Sequence, residues 1–205
     1  MLGKNLFEVI VTGGGFIGYI IWALSIVTVA LLVKYATAIR RTTIMPELVL
    51  DEIKTLFEQK QYRQAIERTA EEPSFLSHIV HAGLSQAAHG YSAMERAMEE
   101  TAEEHTTKML RSIEWLNLIG NVSPMLGLLG TVLGMLLMFI KFGTETDANE
   151  MGAKIGIALV TTLLGLGVAI PALSGYAILR NRVDALSSEA MSASQDLISN
   201  FRPGK

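Results

Sequence analysis

The chain has 205 residues, half of them hydrophobic, with a mean hydropathy of +0.36 and a formal net charge of −3. That is too apolar for an ordinary soluble domain and fits a polytopic membrane protein with a modest aqueous part. The acid–base balance provides no basic patch of the size a nucleic acid needs. The absence of cysteine removes disulfides, thiolate catalysis and Cys-ligated zinc.

Residues 1–14 read as a short amphipathic lead-in outside the membrane, ending in Gly13, Gly14 and Gly15. Those glycines predict a break, with the first helix starting near Phe16. Val9–Val33 carries no charge and exceeds the ~20 apolar residues that cross a bilayer as a helix, which places a first span over 15–36. Its Ile, Val, Leu, Trp and Tyr content predicts a lipid-facing helix, with Tyr19 and Trp22 as interfacial anchors. Ala36 and Ala38 have the spacing of a signal-peptide cleavage site. The apolar run is too long for a signal sequence, however, and Lys34, Arg40 and Arg41 follow it rather than precede it, so an uncleaved anchor is the expectation.

Residues 37–114 read as a cytoplasmic helical region. Pro46 and Glu47 mark a helix start, with Leu48, Ile53, Leu56 and Phe57 at helical spacing. Tyr62, Ala65 and Ile66 predict a second short helix. Pro73 and Ser74 open a third carrying Phe75, Leu76, Ile79, Val80 and Leu84, and Gly90 breaks it. From Ser92 no stop signal precedes the second apolar run, so one helix is expected to continue from water into the membrane.

Two further charge-free runs, Trp115–Ile140 and Ile155–Leu179, give spans over 115–141 and 155–180. A short external loop over 142–154 joins them, and a cytoplasmic tail helix follows over 181–205. All but three of the 17 Lys and Arg residues lie on the side of 37–114 and 181–205; Lys4, Lys141 and Lys154 are the exceptions. The positive-inside rule then puts the N-terminus outside and the C-terminus in the cytoplasm. The fold class is an all-α membrane protein with three transmembrane helices. The second and third are long and extend into a cytoplasmic helical bundle.

Small residues recur at helical spacing in the last two spans. Gly120, Gly127, Thr131 and Gly134 share a face of the second; Ala158, Thr162, Gly165 and Ala169 share a face of the third. Between helices in lipid no hydrophobic force acts, and close approach of small residues takes its place. These faces therefore pair helices tightly and can also line a central pore. Counted from the cytoplasmic end, Thr131 and Thr162 lie at nearly one depth, as do Pro124 and Pro171. A lone membrane threonine usually bonds its own i−4 carbonyl. Two at one depth on small faces are better placed to meet a polar partner. The prolines each free a carbonyl and shape their helices.

The block Ser123, Pro124, Gly127, Gly130, Thr131 and Gly134, followed by Ala158, Thr162, Gly165, Ala169 and Pro171, resembles the MotA, TolQ and ExbB proton-channel subunits. A looser match covers Gln61, Tyr62 and Ala65 and the Trp115–Leu116 pair. In layout the chain is most similar to ExbB and TolQ. The resemblance implies a homo-oligomeric ring, a pentamer, in a bacterial inner membrane. It would enclose two copies of a single-span partner similar to ExbD or TolR, whose Asp takes and releases the proton. It also implies that Thr131 and Thr162 face that Asp; Gly127, Gly130, Gly134, Ala158, Gly165, Pro124 and Pro171 are read from their spacing as the residues that pack the helices and line the pore. ExbB- and TolQ-like members often carry a Glu five residues before the threonine matched by Thr162; this chain has Ile157.

Other signals are weaker. His78 and His81 lack a third ligand in a metal pattern. Glu95, Glu99, Glu100, Glu103 and Glu104 read as a solvated helical face, with a basic partner or a cation exit as the alternative. Gly13–Gly15 is not followed by Lys and Ser/Thr, so it is no phosphate loop. No enzyme activity, cofactor, metal or nucleic-acid partner is expected. A scaffold oligomer without ion conduction is the competing function. A small-molecule transporter fits poorly, because three spans without inverted repeats or an intramembrane charge lack its usual site.

Overall fold

A computed structural model of the chain describes residues 15–141 and 148–201, together with their side chains except those of 141, 148–151, 153, 154, 157 and 200. The expected lead-in (1–14), residues 142–147 of the expected loop, the last four residues and the side chain of Ile157 lie outside the described set. The described residues form helices and turns and contain no strand.

In chain order the helices are α1 (Gly15–Ala38), α2 (Arg41–Ile44), α3 (Glu47–Glu58), α4 (Tyr62–Glu71), α5 (Phe75–Ser85), α6 (Tyr91–Lys141) and α7 (Ala148–Ile198). Short 3-10 turns cover Ala87–His89 and Ser199–Phe201. α6 and α7 have 51 residues each. At 1.5 Å per residue each is roughly 75 Å long, more than twice the ~30 Å hydrocarbon layer. α1, α6 and α7 are each long and apolar enough to cross a membrane.

Local chemistry sets the helix ends. Gly15 opens α1 at φ +53°, a conformation that costs glycine nothing. Met45 precedes Pro46 and is held out of the helical region at φ −138°, ψ 80°, which stops α2, and Pro46 then sits at the N-cap of α3. α3 ends in a Schellman pair: Gln61 N–H donates to the Leu56 carbonyl at 2.9 Å and Lys60 N–H to that of Phe57 at 3.0 Å. Lys60 takes the left-handed position at φ 58°. Ser74 caps α5, its Oγ accepting from Ser77 N at 3.2 Å. Gly90, at φ 91°, separates α5 and its 3-10 extension from α6.

The chain divides into two compact units. The polar unit comprises Tyr35–Ile113 and Ile178–Lys205. Its core is apolar side chains from each of α2 to α7: Ile44, Ile53, Phe57, Ala65, Leu76, Ile79, Val80, Met94, Met98, Val183 and Ile198 are buried. Phe57, Tyr62 and Phe201 form an aromatic cluster, with ring centroids 4.9–6.1 Å apart, that ties the C-terminal turn to α3 and α4. Arg68 bridges α4 to Glu52 of α3 at 2.8 Å, and Arg41 joins α2 to Glu189 of α7 at 2.9 Å.

The membrane unit comprises Met1–Lys34 and Glu114–Ala177. Here the expectation that α1 is simply a lipid-facing helix is corrected. Ile21 is 1% exposed and packs with Ile119 of α6 and Val168 of α7; Ile17, Leu24 and Leu31 extend the contact. Phe16, Ile26, Val29 and Val33 face outward on the other side. A helix that is apolar all round conceals its packed stripe from any periodicity argument. Trp22 is also not a free interfacial anchor: its indole N–H is buried and has no hydrogen-bond partner among the described residues.

Candidate functional site

The site is where α6 and α7 pass closest within the membrane unit. A methyl placed on Gly165 would meet the Ser123 carbonyl oxygen at 2.5 Å and Gly127 Cα at 3.2 Å. One on Gly127 would meet the Thr161 carbonyl oxygen at 2.8 Å and Thr162 Cα at 2.9 Å. The two backbones are in contact at this level, which only glycine allows. Above and below, the fit passes to side chains: a methyl on Gly134 would meet Ala158 Cβ at 2.8 Å, and one on Gly120 would meet Leu173 Cγ at 2.6 Å.

Three hydroxyls converge at the same level. Thr131 Oγ1 lies 3.1 Å from its own i−4 carbonyl at Gly127, 3.2 Å from the Ala158 carbonyl and 2.5 Å from Thr162 Oγ1. Thr162 Oγ1 donates across the helix pair to Gly127 O at 3.2 Å. Thr161 Oγ1 lies 2.7 Å from Ala158 O and 3.1 Å from Gly127 O. Thr131 and Thr161 are buried and Thr162 is half-buried, so Thr162 is the member of the cluster open to an outside group. The structure therefore brings Thr131, Thr162, Gly127 and Ala158 together, with Gly130, Gly134 and Gly165 forming the surrounding contact.

Pro124 and Pro171 stay inside continuous helices and make none of these contacts. Two members were not singled out from sequence. Thr161 fills the space where Gly130 lacks a side chain, its Oγ1 2.6 Å from where a Gly130 methyl would sit. Ser123 is fully buried, donates to Ile119 O at 2.7 Å and presents its carbonyl to Gly165. The unpaired small residue at Gly130 was the available signal for Thr161.

Chemically the cluster is neutral. Hydroxyls can donate to a carboxylate and accept from a carboxylic acid, but none of these groups gains or loses a proton at working pH. Neither Trp115–Ile140 nor Ile155–Leu179 contains an Asp, Glu, Lys, Arg or His.

In the polar unit the two histidines of the rejected metal pattern go to different neighbours. The His81 ring lies 3.3 Å from Thr69 Oγ1 and from the Ile66 carbonyl. The His78 ring stacks on that of His105 with centroids 4.6 Å apart. Among the described residues no three His, Asp or Glu side chains are grouped as a metal site. The acidic stretch of α6 is partly self-neutralised, with Glu100 on Arg96 at 2.8 Å and Glu104 on Lys108 at 2.6 Å. The Lys108 bond holds the Glu104 carboxyl below its usual range.

The pattern of the MotA/TolQ/ExbB proton channel family matches residues 60–191, a stretch that contains the whole glycine–threonine site. The chain belongs to this family. It is 31% identical over 174 residues to an ExbB homolog of Methanothermobacter thermautotrophicus, named for biopolymer transport; the match covers 83% of this chain and 62% of that protein. It is 39% identical over 80 residues to the biopolymer transport protein exbB1 of Vibrio cholerae, covering 38% and 35%. The biopolymer transport protein ExbB of Helicobacter pylori is 33% identical over 101 residues, covering 48% and 70%. The chain thus spans less than two thirds of the length of the first two relatives. As a family member with three apolar spanning helices, it is a multi-pass inner-membrane protein of the ExbB type.

Proposed function

We propose that this chain is the ring-forming subunit of an ion-driven motor that couples proton flow to work on the cell envelope, in the manner of biopolymer transport systems. The carrying observation is the Thr131–Thr162 pair: two hydroxyls joined across two backbones in contact, in spans that contain no Asp, Glu, Lys, Arg or His. Such a site can hydrogen-bond a titrating carboxyl but cannot replace it. The carboxyl then belongs to another chain, an ExbD- or TolR-like single-span protein with an Asp in its membrane helix. Five copies of the present chain would enclose two copies of that partner. The N-terminus and the 142–154 loop would lie in the periplasm; 37–114 and 181–205 would lie in the cytoplasm, as the Lys and Arg distribution supports.

The energetics are commensurate. One elementary charge crossing 100 mV releases about 2.3 kcal/mol, and a carboxylate at the membrane centre costs about 2.5–3.5 kcal/mol on insertion scales. Protonation removes that cost, so uptake and release of one proton can bias a partner helix between two positions against the ring.

The test is proton flux into liposomes holding the complex co-purified with its single-span partner, under an imposed potential. Thr131→Val together with Thr162→Val should cut flux by about tenfold or more, the effect of losing hydrogen bonds to a charged group, while the oligomer stays intact by mass. The chain without the partner should not conduct. Unchanged flux in the double variant would remove the two threonines from the pathway. An oligomer that forms but neither recruits a partner nor supports flux would establish the scaffold reading instead.

A further inference from the structure

Each hydroxyl has one proton to donate, and the two backbone carbonyls at the site, Gly127 O and Ala158 O, are approached by more hydroxyls than they need. Gly127 O has Thr131, Thr161 and Thr162 within 3.2 Å; Ala158 O has Thr131 at 3.2 Å and Thr161 at 2.7 Å. Thr161 reaches both carbonyls, is 3% exposed and has no route to a group outside the chain. Its side chain is fixed by the missing Cβ of Gly130, where Oγ1, Cβ and Cγ2 occupy the space a methyl would fill. A β-branched residue in a helix has few rotamers to begin with, and this one is held on both sides.

We propose that Thr161 is a positioning residue for the ion site, distinct from the Thr131–Thr162 pair that meets the carboxyl. By keeping a hydroxyl on the carbonyls of Gly127 and Ala158, it frees the pair to redirect its protons. The Thr131–Thr162 hydrogen bond can run in either direction with no heavy atom moving. With Thr131 donating to Thr162, Thr162 can turn its own proton from Gly127 O to an ionised carboxyl. With Thr162 donating to Thr131, its oxygen has lone pairs free to accept from a protonated one. Turning Thr162 away leaves Thr161 Oγ1 between Gly127 O at 3.1 Å and Ala158 O at 2.7 Å, its one proton shared between two carbonyls that already accept within their own helices. Without the Thr161 hydroxyl, a proton of the pair is drawn to Gly127 O or Ala158 O and the site offers fewer donors to the charged form of its guest.

This inference rests on the proposed function, and the experiment separates the two. Proton flux is measured in liposomes with the partner-bound complex carrying Thr161→Val, Thr161→Ala, Thr161→Ser or Thr162→Val, each checked for assembly by mass. Thr161→Val keeps the shape and loses the hydroxyl; Thr161→Ser does the reverse. Flux should fall about tenfold in Thr161→Val and Thr161→Ala, as for loss of a hydrogen bond to a charged group, and return to within about twofold of the parent in Thr161→Ser. The pH of half-maximal flux should move upward in Thr161→Val and Thr161→Ala, because a carboxylate that loses a donor is less stabilised in its charged form. A role in packing alone would leave that midpoint in place. Parent-like flux and midpoint in an assembled Thr161→Ala or Thr161→Val complex, or no recovery in Thr161→Ser, overturns the positioning role. If the parent complex itself does not conduct, the proposed function has failed; if the parent conducts and Thr162→Val does not, only the role of Thr161 has.

Discussion

In the polar unit the helices meet through side chains. Ile53, Leu76, Ile79, Val80, Met94 and Met98 are all but inaccessible, and ion pairs such as Arg68–Glu52 run between helices at the surface. In the membrane unit α6 and α7 meet through backbone, with Gly127 and Gly165 each against main-chain atoms of the other helix and three hydroxyls closing the contact. The solvents explain the contrast. Water drives apolar side chains together at about 25 cal/mol per Å² of buried apolar surface. Lipid provides no such force, so proximity, dispersion and hydrogen bonds are what remain. Helix α6 changes its residues accordingly: Glu-rich with Met and Arg over Glu95–Arg111, Gly- and Leu-rich over Gly120–Gly134.

The contrast predicts that opposite changes of size damage the two units: truncation the polar one, an added methyl the membrane one. The largest effect is expected from Leu76→Ala, at a fully buried position of α5. Truncation there loses burial and leaves a cavity, at about 2–5 kcal/mol. Hydrogen exchange of the detergent-solubilised full chain should show lost protection across α4 and α5. Unchanged protection would mean that this core does not hold the unit. Next comes an addition rather than a deletion. Gly165→Ala places a methyl 2.5 Å from the Ser123 oxygen, a main-chain atom that cannot move aside cheaply. A cost of about 1–3 kcal/mol follows, read as a lowered thermal midpoint of the solubilised assembly. Gly167→Ala, two residues on, has nothing within 4 Å of its added methyl and should be neutral. Equal midpoints for the two variants would show that α6 and α7 are not held by glycine contacts.

What could be seen in the sequence divides along the same line. Helix ends in the polar unit are set by residues that act locally: Pro46, Ser74 and Gly90 each specify their own backbone, and the expected starts and stops fall at or beside them. The continuous passage of α6 from the polar stretch into the apolar one follows from the lack of any breaker between Ser92 and Trp115. Depth counting placed Thr131 and Thr162 at one level, and they are in contact. It could not find Thr161, because adjacent helical residues point about 100° apart and the stripe through Thr162 excludes its neighbour. Nor could it find the packed side of α1. Ile21 and Ile26 are chemically alike, yet one is 1% and the other 70% exposed. The partner of His78 was equally hidden, since His105 lies on another helix in a run otherwise read as solvated.

That histidine pair gives the next smaller effect, again confined to the polar unit. Burial, then the neighbouring His78 and Lys108, push the His105 imidazole below its ordinary value near 6.5, against a smaller opposite pull from Glu104. The depressed value means that the folded unit holds His105 neutral at a pH where the unfolded chain would bind a proton. Stability from this group is complete above about 6.5 and declines as pH falls through that value toward the folded one. Exchange protection at the α5–α6 contact should therefore weaken from pH 7 to pH 5. His105→Phe keeps a ring for Phe75 and His78 to pack on and removes the titration, so its protection should vary less over that range. An equal decline in the variant would assign the acid sensitivity to another group.

The smallest effect separates the two kinds of polar contact. Arg63 pairs with Glu67 one turn along α4, with 93% of its side chain exposed. Exposed pairs of this spacing contribute about 0.3–0.5 kcal/mol at most and are screened by salt. Arg63→Ala should leave the thermal midpoint of the solubilised chain within measurement error at physiological ionic strength. Thr131→Val exchanges atoms of similar size but removes a buried hydroxyl that faces two carbonyls and a second hydroxyl. Membrane hydrogen bonds average about 0.6 kcal/mol, so a small but resolvable drop is expected, insensitive to salt. If the two variants respond alike to salt, the hydroxyl cluster is wet, and the picture of two backbones closed against each other in lipid is wrong.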